Sequence, residues 1–383
     1  MPAPAHVLIA GGGVGALEAL LALQHLAGAR VRVSVLTAGR YLTYRALSVA
    51  EPFGGEPAQR HEWAAIAADR GVRWVPDQLT AIRPDAREVA TRDGAPEPYD
   101  ALLLALGARP ETALPGALTF AGARDVLAVG EALRALPRDG ARRRAVFVAP
   151  PGVGWTLPLY ELALMTARFA ADAGLLLEVQ IVTREDAPLG IFGAEASRAV
   201  AERLAAGGVR VRTATFATEV AGGAVWLELE GPLEADLVVA LPRLTGPAVD
   251  GLPCDGDGFV PVDRYARVPG VDAVWAVGDM TTRPLKQGGL AAQQADVAAA
   301  GIAAAAGADV EVAPYAPRLQ GVLLTGGDPL YLERRPHAPS TSSAATGFLW
   351  WPAHKVVGRH VARYLEARAP GEPGAAGAGT AAG

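Results

Sequence analysis

The chain has 383 residues, beyond the size at which one hydrophobic core usually stops growing, so a single small module is excluded. Hydrophobic residues make up 51% and charged ones 20%, which excludes wholesale disorder; 35 Lys and Arg against 40 Asp and Glu give a net charge of −5 and no general attraction to nucleic acid. The single cysteine, Cys254, excludes an internal disulfide, a paired-thiol centre and a cysteine-rich metal cage, so redox chemistry would have to come from a cofactor.

In chain order, 6–10 reads as a short apolar strand, 16–27 carries leucines at helical spacing, and 31–37 alternates β-branched residues, together a βαβ unit. No basic region precedes the first apolar run, and no stretch approaches the roughly 18 apolar residues of a membrane span, so a cytoplasmic protein is expected. Alanine and glycine are so abundant throughout that single alanines are given no weight. Between the first strand and helix, Gly11-Gly12-Gly13-Val14-Gly15-Ala16 fits G-x-G-x-x-A. Gly11 permits the tight turn, Gly13 lets a pyrophosphate reach the backbone at the helix start beside Val14, and Ala16 allows close packing. The acid expected about 20 residues on is missing. Thr37 supplies a weaker hydroxyl contact there, and Arg40 is the expected grip on an adenylate.

A loop-rich section at 41–57 leads to a helix at 61–70, a meander of short strands, and a buried strand at 99–107 that passes Ala105 and ends at Gly107. A second βαβ-like unit follows: the basic run 142–144, a strand at 145–149, a helix at 159–173 opened by Pro158, and a strand at 176–183. Its turn differs from the first. Pro150 and Pro151 remove two N–H donors, and Trp155 and Leu157 add bulk where a pyrophosphate needs bare backbone, so a standard nicotinamide dinucleotide site is not expected. Further strands are read at 234–242 and 274–279, the latter ending in Gly278-Asp279. Helices are read at 289–306 and 353–368, and 370–383 reads as a disordered tail. His6, His25, His61, His337, His354 and His360 show no metal-ligand spacing, and no metal is expected.

These signals, in this order and spacing, resemble the FAD-dependent pyridine nucleotide-disulfide oxidoreductases over about 7–365, in the branch of sulfide:quinone oxidoreductases and type II NADH:quinone oxidoreductases. The resemblance implies an α/β fold of two Rossmann-like three-layer (ββα/α) domains, the second inserted into the first, plus a small C-terminal segment. Its divisions would be 1–112 and 246–315 for the FAD domain, 113–245 for the degenerate second domain, 316–368 for the C-terminal segment and 369–383 for the tail. It further implies that Gly11, Gly13, Val14 and Ala16 hold the FAD pyrophosphate. Thr37 and Arg40 would lie by the adenylate, Ala105 and Gly107 beside the cofactor, and Gly278 with Asp279 on the ribityl chain. The helix opening at Gly289 and Leu290 would point at the flavin pyrimidine, with Lys286 as the candidate catalytic residue. The cysteines that attack sulfide in that branch are missing, and Cys254 is read as incidental.

The function implied is an FAD-dependent oxidoreductase, sulfide:quinone-like without those cysteines, with a small-molecule electron donor and a quinone or small electrophile as acceptor. An NAD(P)H-dependent reductase and a non-catalytic flavin-binding sensor are the alternatives. In 348–365 the expected helix puts Val357, Val361, Tyr364 and Leu365 on one face and Lys355, Arg359 and Arg363 elsewhere. Two readings stay open for it: a quinone-facing patch at the inner face of a membrane, or a cap on the flavin domain or homodimer interface.

Overall fold

The computed structural model describes residues 3–335 and 342–368; the expected disordered tail and His337 lie outside them. From the N-terminus the chain forms β1 (Ala5–Ala10), α1 (Val14–Ala27), β2 (Val31–Leu36), α2 (Trp63–Arg70), β3 (Arg73–Val75) and β4 (Ala101–Leu104). A second series follows: β5 (Leu118–Thr119), α3 (Val126–Ala135), β6 (Arg143–Val148), α4 (Leu157–Asp172), β7 (Leu177–Val182), α5 (Ala194–Ala206), β8 (Val209–Arg212) and β9 (Leu237–Ala240). The chain then returns through β10 (Val274–Ala276) and α6 (Gly288–Ala305). It closes with β11 (Leu319–Leu323), β12 (Leu330–Arg334), β13 (Ser342–Ala345) and α7 (Val361–Glu366).

Two parallel five-stranded sheets result, ordered β10-β4-β1-β2-β3 and β5-β9-β6-β7-β8. Because β10 pairs with β4 across the whole second sheet in sequence, the second unit is inserted into the first. An antiparallel ribbon of Arg109–Glu111 with Arg243–Thr245 marks where the chain leaves and re-enters. The two-residue period of a strand builds the layers. Val7 and Ile9 of β1 face the α1 and α6 side, whereas Leu8 and Ala10 face Ile82 and Val89 of an antiparallel meander. The second sheet repeats this, with Ala145 and Phe147 toward the helices and Val146 and Val148 toward Val225 and Leu233. The fold is thus the α/β arrangement expected from the sequence.

The abundant alanines have a use at the crossing of α1 and α6. Ala16 and Ala19 from one helix and Ala295, Ala298 and Ala299 from the other are buried in one cluster, so the two helices approach closely over the first sheet. The expected helix at 353–368 is a correction. Only Val361–Glu366 is helical, because the backbone N–H groups of His360 and Val361 are held by the Glu18 carboxylate at 2.9 and 2.6 Å, outside any helical ladder. Gly358 makes room for that carboxylate, since a Cβ there would lie 2.8 Å from Glu18 Oε2. Val361, Tyr364 and Leu365 are buried against the first domain, and Lys355 turns inward, so no continuous basic face forms. No helix among the described residues is long and apolar enough to cross a membrane.

Glu18 faces Asp296 of α6 and His360, with one ligand-type atom of each within 4.8 Å of the others. Two carboxyl groups this close in a buried place cannot both ionise cheaply. Burial, then the Glu18 charge, pushes Asp296 up to about 8, with Arg359 opposing. Asp296 Oδ1 is buried with no hydrogen-bond partner among the described residues. A folded-state pKa raised from 3.8 to about 8 means that the native protein binds an extra proton between those values; the stability it contributes is full below about pH 4 and is lost as pH rises toward 8. Asp296→Asn, neutral at every pH, should therefore melt with a flatter pH dependence and exceed the wild type above pH 8. Thermal melts of both proteins across pH 4–9 with parallel slopes would contradict the shared proton.

Candidate functional site

The first glycine turn lies at the C-terminal edge of the first sheet. Gly11 has φ of +135°, and a Cβ there would stand 2.2 Å from the Ala105 carbonyl oxygen, so only glycine fits. Gly12 is wedged between Thr37 and Trp63: a Cβ would come within 2.5 Å of Thr37 Oγ1, and Trp63 Nε1 donates to the Gly12 carbonyl at 3.2 Å. At Gly13 a Cβ would meet nothing within 4 Å. The fold does not need that side chain to be absent, whereas a ligand approaching the backbone would. Ala16 is fully buried one turn on, behind Val14.

In front of this turn a cleft of about 490 Å³ runs past Gly11, Thr37, Asp77, Gly107 and Arg109. Thr37 is nearly buried, and its hydroxyl accepts from Gly39 N at 3.3 Å. Arg40 is not part of the lining. It is exposed, donates to Glu62 at 2.8 Å and stacks on Tyr41. Gly12, Asp77 and Arg109 join the site without having been assigned to it from sequence, because the cleft is assembled from separate loops.

At the end of β10, Val277 makes the last ladder bond, to Leu104, and Gly278 turns the chain with φ of +76° into a single 3₁₀ turn. Asp279 Oδ1 on that turn is buried and has no partner among the described residues. Burial raises its pKa, opposed by the charges of Lys286 and Arg45. Lys286 is no solvated loop charge. It donates to the Thr281 carbonyl, lies 3.7 Å over the Phe259 ring, and is lowered to about 8 by burial, with Asp279 pulling the other way.

The N-terminus of α6 opens beside this turn. Gln287 caps it by accepting from Leu290 N at 2.8 Å, so Leu290 offers no free N–H, and those of Gly288 and Gly289 are unclaimed among the described residues. Residues 356–357 press on both glycines: a Cβ on Gly288 would meet Val356 at 3.2 Å, and one on Gly289 the Val357 carbonyl at 3.3 Å. One residue earlier, Lys355 Nζ donates to the Ala46 carbonyl and to Glu161 Oε2, each at 2.7 Å, while Glu161 Oε1 accepts from Leu324 N at 2.9 Å. Burial pushes Glu161 up and Lys355 down, and each opposes the shift of the other. The sequence signal for this pair was a lone carboxylate on an otherwise apolar helix face.

The second glycine loop is closed. A Cβ on Gly154 would lie 2.7 Å from the Pro284 carbonyl, so the loop packs directly on the segment leading to Lys286. Trp155 covers Phe192 at 5.8 Å. At the end of β7, where a nucleotide ribose would look for an acid, Glu185 instead accepts from Tyr160 and Thr183 hydroxyls at 2.7 and 3.1 Å. Cys254 is exposed, with only a long contact of 3.8 Å to the Leu252 carbonyl.

Comparison with known proteins bears on the family and the fold. The family model described as pyridine nucleotide-disulphide oxidoreductase matches residues 5–301. An NADH dehydrogenase-like protein of Mycobacterium tuberculosis is 30% identical over 230 residues, 56% of this chain and 56% of that protein, so the chain spans a little over half the length of this curated relative. Among solved structures, the sulfide:quinone oxidoreductase of Aquifex aeolicus superposes with a TM-score of 0.80 at 20% identity, over 89% of this chain and 87% of that one. A ferredoxin reductase of Rhodopseudomonas palustris gives 0.66 at 20% identity, over 87% and 83%. The residues present fit FAD. They offer open backbone at Gly13, an orphaned buried carboxylate oxygen at Asp279, and free N–H groups at Gly288 and Gly289.

Removing one member of a buried ion pair strands the other. Lys355→Met should cost about 3 kcal/mol in urea unfolding, and adding Glu161→Gln, which keeps the acceptor for Leu324 N, should recover most of it. Equal stability of the single and double variants would mean that the pair carries no such coupling.

Proposed function

We propose that this chain, which belongs to the pyridine nucleotide-disulphide oxidoreductase family and has FAD as its cofactor, is an oxidoreductase of the sulfide:quinone type without the sulfide-oxidising thiols. In this reading it takes electrons from a small donor and passes them to a quinone or another small electrophile. The observation that carries it is the unpartnered Asp279 oxygen buried on a 3₁₀ turn between the glycine turn and the start of α6. When bound, FAD supplies hydride and single-electron transfer, which the side chains of this protein cannot perform.

The chain's own residues hold and orient it. Gly11, Gly13 and the N-terminus of α1 beside Val14 and Ala16 take the pyrophosphate, with Ala105 and Gly107 alongside and Thr37 toward the adenylate end. Asp279 takes the ribityl chain, and the N–H groups at the start of α6 face the pyrimidine edge, where they favour negative charge. Lys286 stays the candidate for adding positive charge near Asp279. Lys355 holds its proton at Nζ beside Glu161 Oε2, and the two residues after it touch the start of α6. Exposed Phe348 and Trp351 in edge-to-face contact support a peripheral approach to a quinone-bearing membrane.

Against a nicotinamide donor stand the packed Gly154 loop and the internally bonded Glu185. A second reading, an NADH-dependent reductase, is favoured by the name of the curated relative. Anaerobic stopped-flow separates the two. NADH and NADPH at millimolar level should bleach the flavin no faster than a free-flavin control, and a small donor other than sulfide should reduce it with reoxidation by quinone. Fast bleaching by NADH would move the protein to the second reading. Cys254→Ser should leave all of these rates within about twofold, since a lone exposed thiol has no resolving partner.

A further inference from the structure

We infer that Gln294 is a positioning residue for the flavin site: its side-chain oxygen holds the Gly278 N–H and thereby aims the Asp279 carboxylate. The inference rests on the FAD reading of Asp279. Once Val277 has made the last ladder bond, the positive φ of Gly278 turns its N–H away from the sheet and toward α6. Backbone carbonyls on that stretch of α6 already serve the helix, so only a side chain can accept there. Gln294, 2% exposed, does so through Oε1 at 2.8 Å.

The approach is close because both sides are small; a Cβ on Gly278 would stand 3.1 Å from the Ala291 Cβ. The Gly278 carbonyl is held as well, by Thr281 N at 3.1 Å and Thr281 Oγ1 at 2.9 Å. With both polar groups of Gly278 fixed, the two peptide planes flanking it cannot rotate, and the direction of the next side chain, Asp279, is set. The amide has one orientation, since the oxygen must meet the N–H. Its NH₂ is therefore left for the Tyr315 hydroxyl, whose ring carries Arg283 at 4.4 Å. Arg283 in turn donates to the Asp263 carbonyl at 2.8 Å. Gln294 thus braces the turn that carries Asp279.

The test is FAD binding to flavin-stripped protein, followed by quenching of flavin fluorescence, for the wild type, Asp279→Ala, Gln294→Leu, Gln294→Met, Gln294→Glu and the double variant Asp279→Ala with Gln294→Leu. The two apolar variants should each weaken FAD binding by about tenfold or more, the size of one lost buried hydrogen bond. Gln294→Glu keeps an acceptor and, at a pH low enough to hold its buried carboxyl neutral, should stay within about threefold of the wild type, losing affinity as the pH is raised. In the double variant the loss should equal that of Asp279→Ala alone, because Gln294 acts through Asp279. Wild-type affinity in both apolar variants beside a weakened Asp279→Ala would overturn this inference alone, as would losses that multiply in the double variant. Wild-type affinity in Asp279→Ala would overturn the FAD reading of that residue.

Discussion

The buried ion pair of Lys355 with Glu161 joins four stretches of chain that are far apart in sequence. Its ammonium holds the Ala46 carbonyl from the first domain, its carboxylate belongs to α4 of the second, and the other carboxylate oxygen holds Leu324 at the end of β11. Burying two charges is unfavourable unless every hydrogen bond is made, so the pair forces all four stretches into one arrangement. That arrangement places 356–357 against Gly288 and Gly289 and so builds one wall of the site at the start of α6.

A second constraint is closeness of backbones. The glycine turn, the end of β10 and the crossing of α1 over α6 all work at distances that a larger side chain would prevent, as Gly11 against Ala105, Gly278 against Ala291 and the alanines of α1 and α6 show. Where backbones come that near, their polar groups need partners at fixed places, and buried side chains meet that need: Gln287 caps α6, Gln294 takes the Gly278 N–H, and Glu18 takes two N–H groups of the C-terminal segment. Asp279 Oδ1 is one of the buried oxygens left without a partner among the described residues, and it lies on the turn that Gln294 holds.

The two parallel sheets share one plan but not one use. In the first, the turn after β1 leaves open backbone at Gly13. In the second, the turn after β6 is filled by prolines and Trp155 and packs on the loop before Lys286. The second domain thereby acts on the first as a support, holding the segment that carries Lys286 and contributing Glu161 to the shared ion pair.

The sequence alone determined what depends on neighbours along the chain. The strands and helices of both βαβ units, the glycine turn and the altered second loop follow from local periodicity and turn chemistry, as does the strand read at 274–279, of which Val274–Ala276 is extended before Gly278 opens a 3₁₀ turn; the inserted arrangement is what the family resemblance implies. What it could not determine is which side chains meet across separate segments. Lys355 reads as one of a row of basic surface residues and becomes a buried partner of Glu161; the helix expected at 353–368 shrinks to Val361–Glu366 because Glu18, more than three hundred residues earlier, captures the N–H groups of His360 and Val361. Local sequence sets the preferences of φ and ψ, whereas the cost of leaving a buried charge or N–H unpaired is settled only by what the rest of the chain brings within hydrogen-bonding distance.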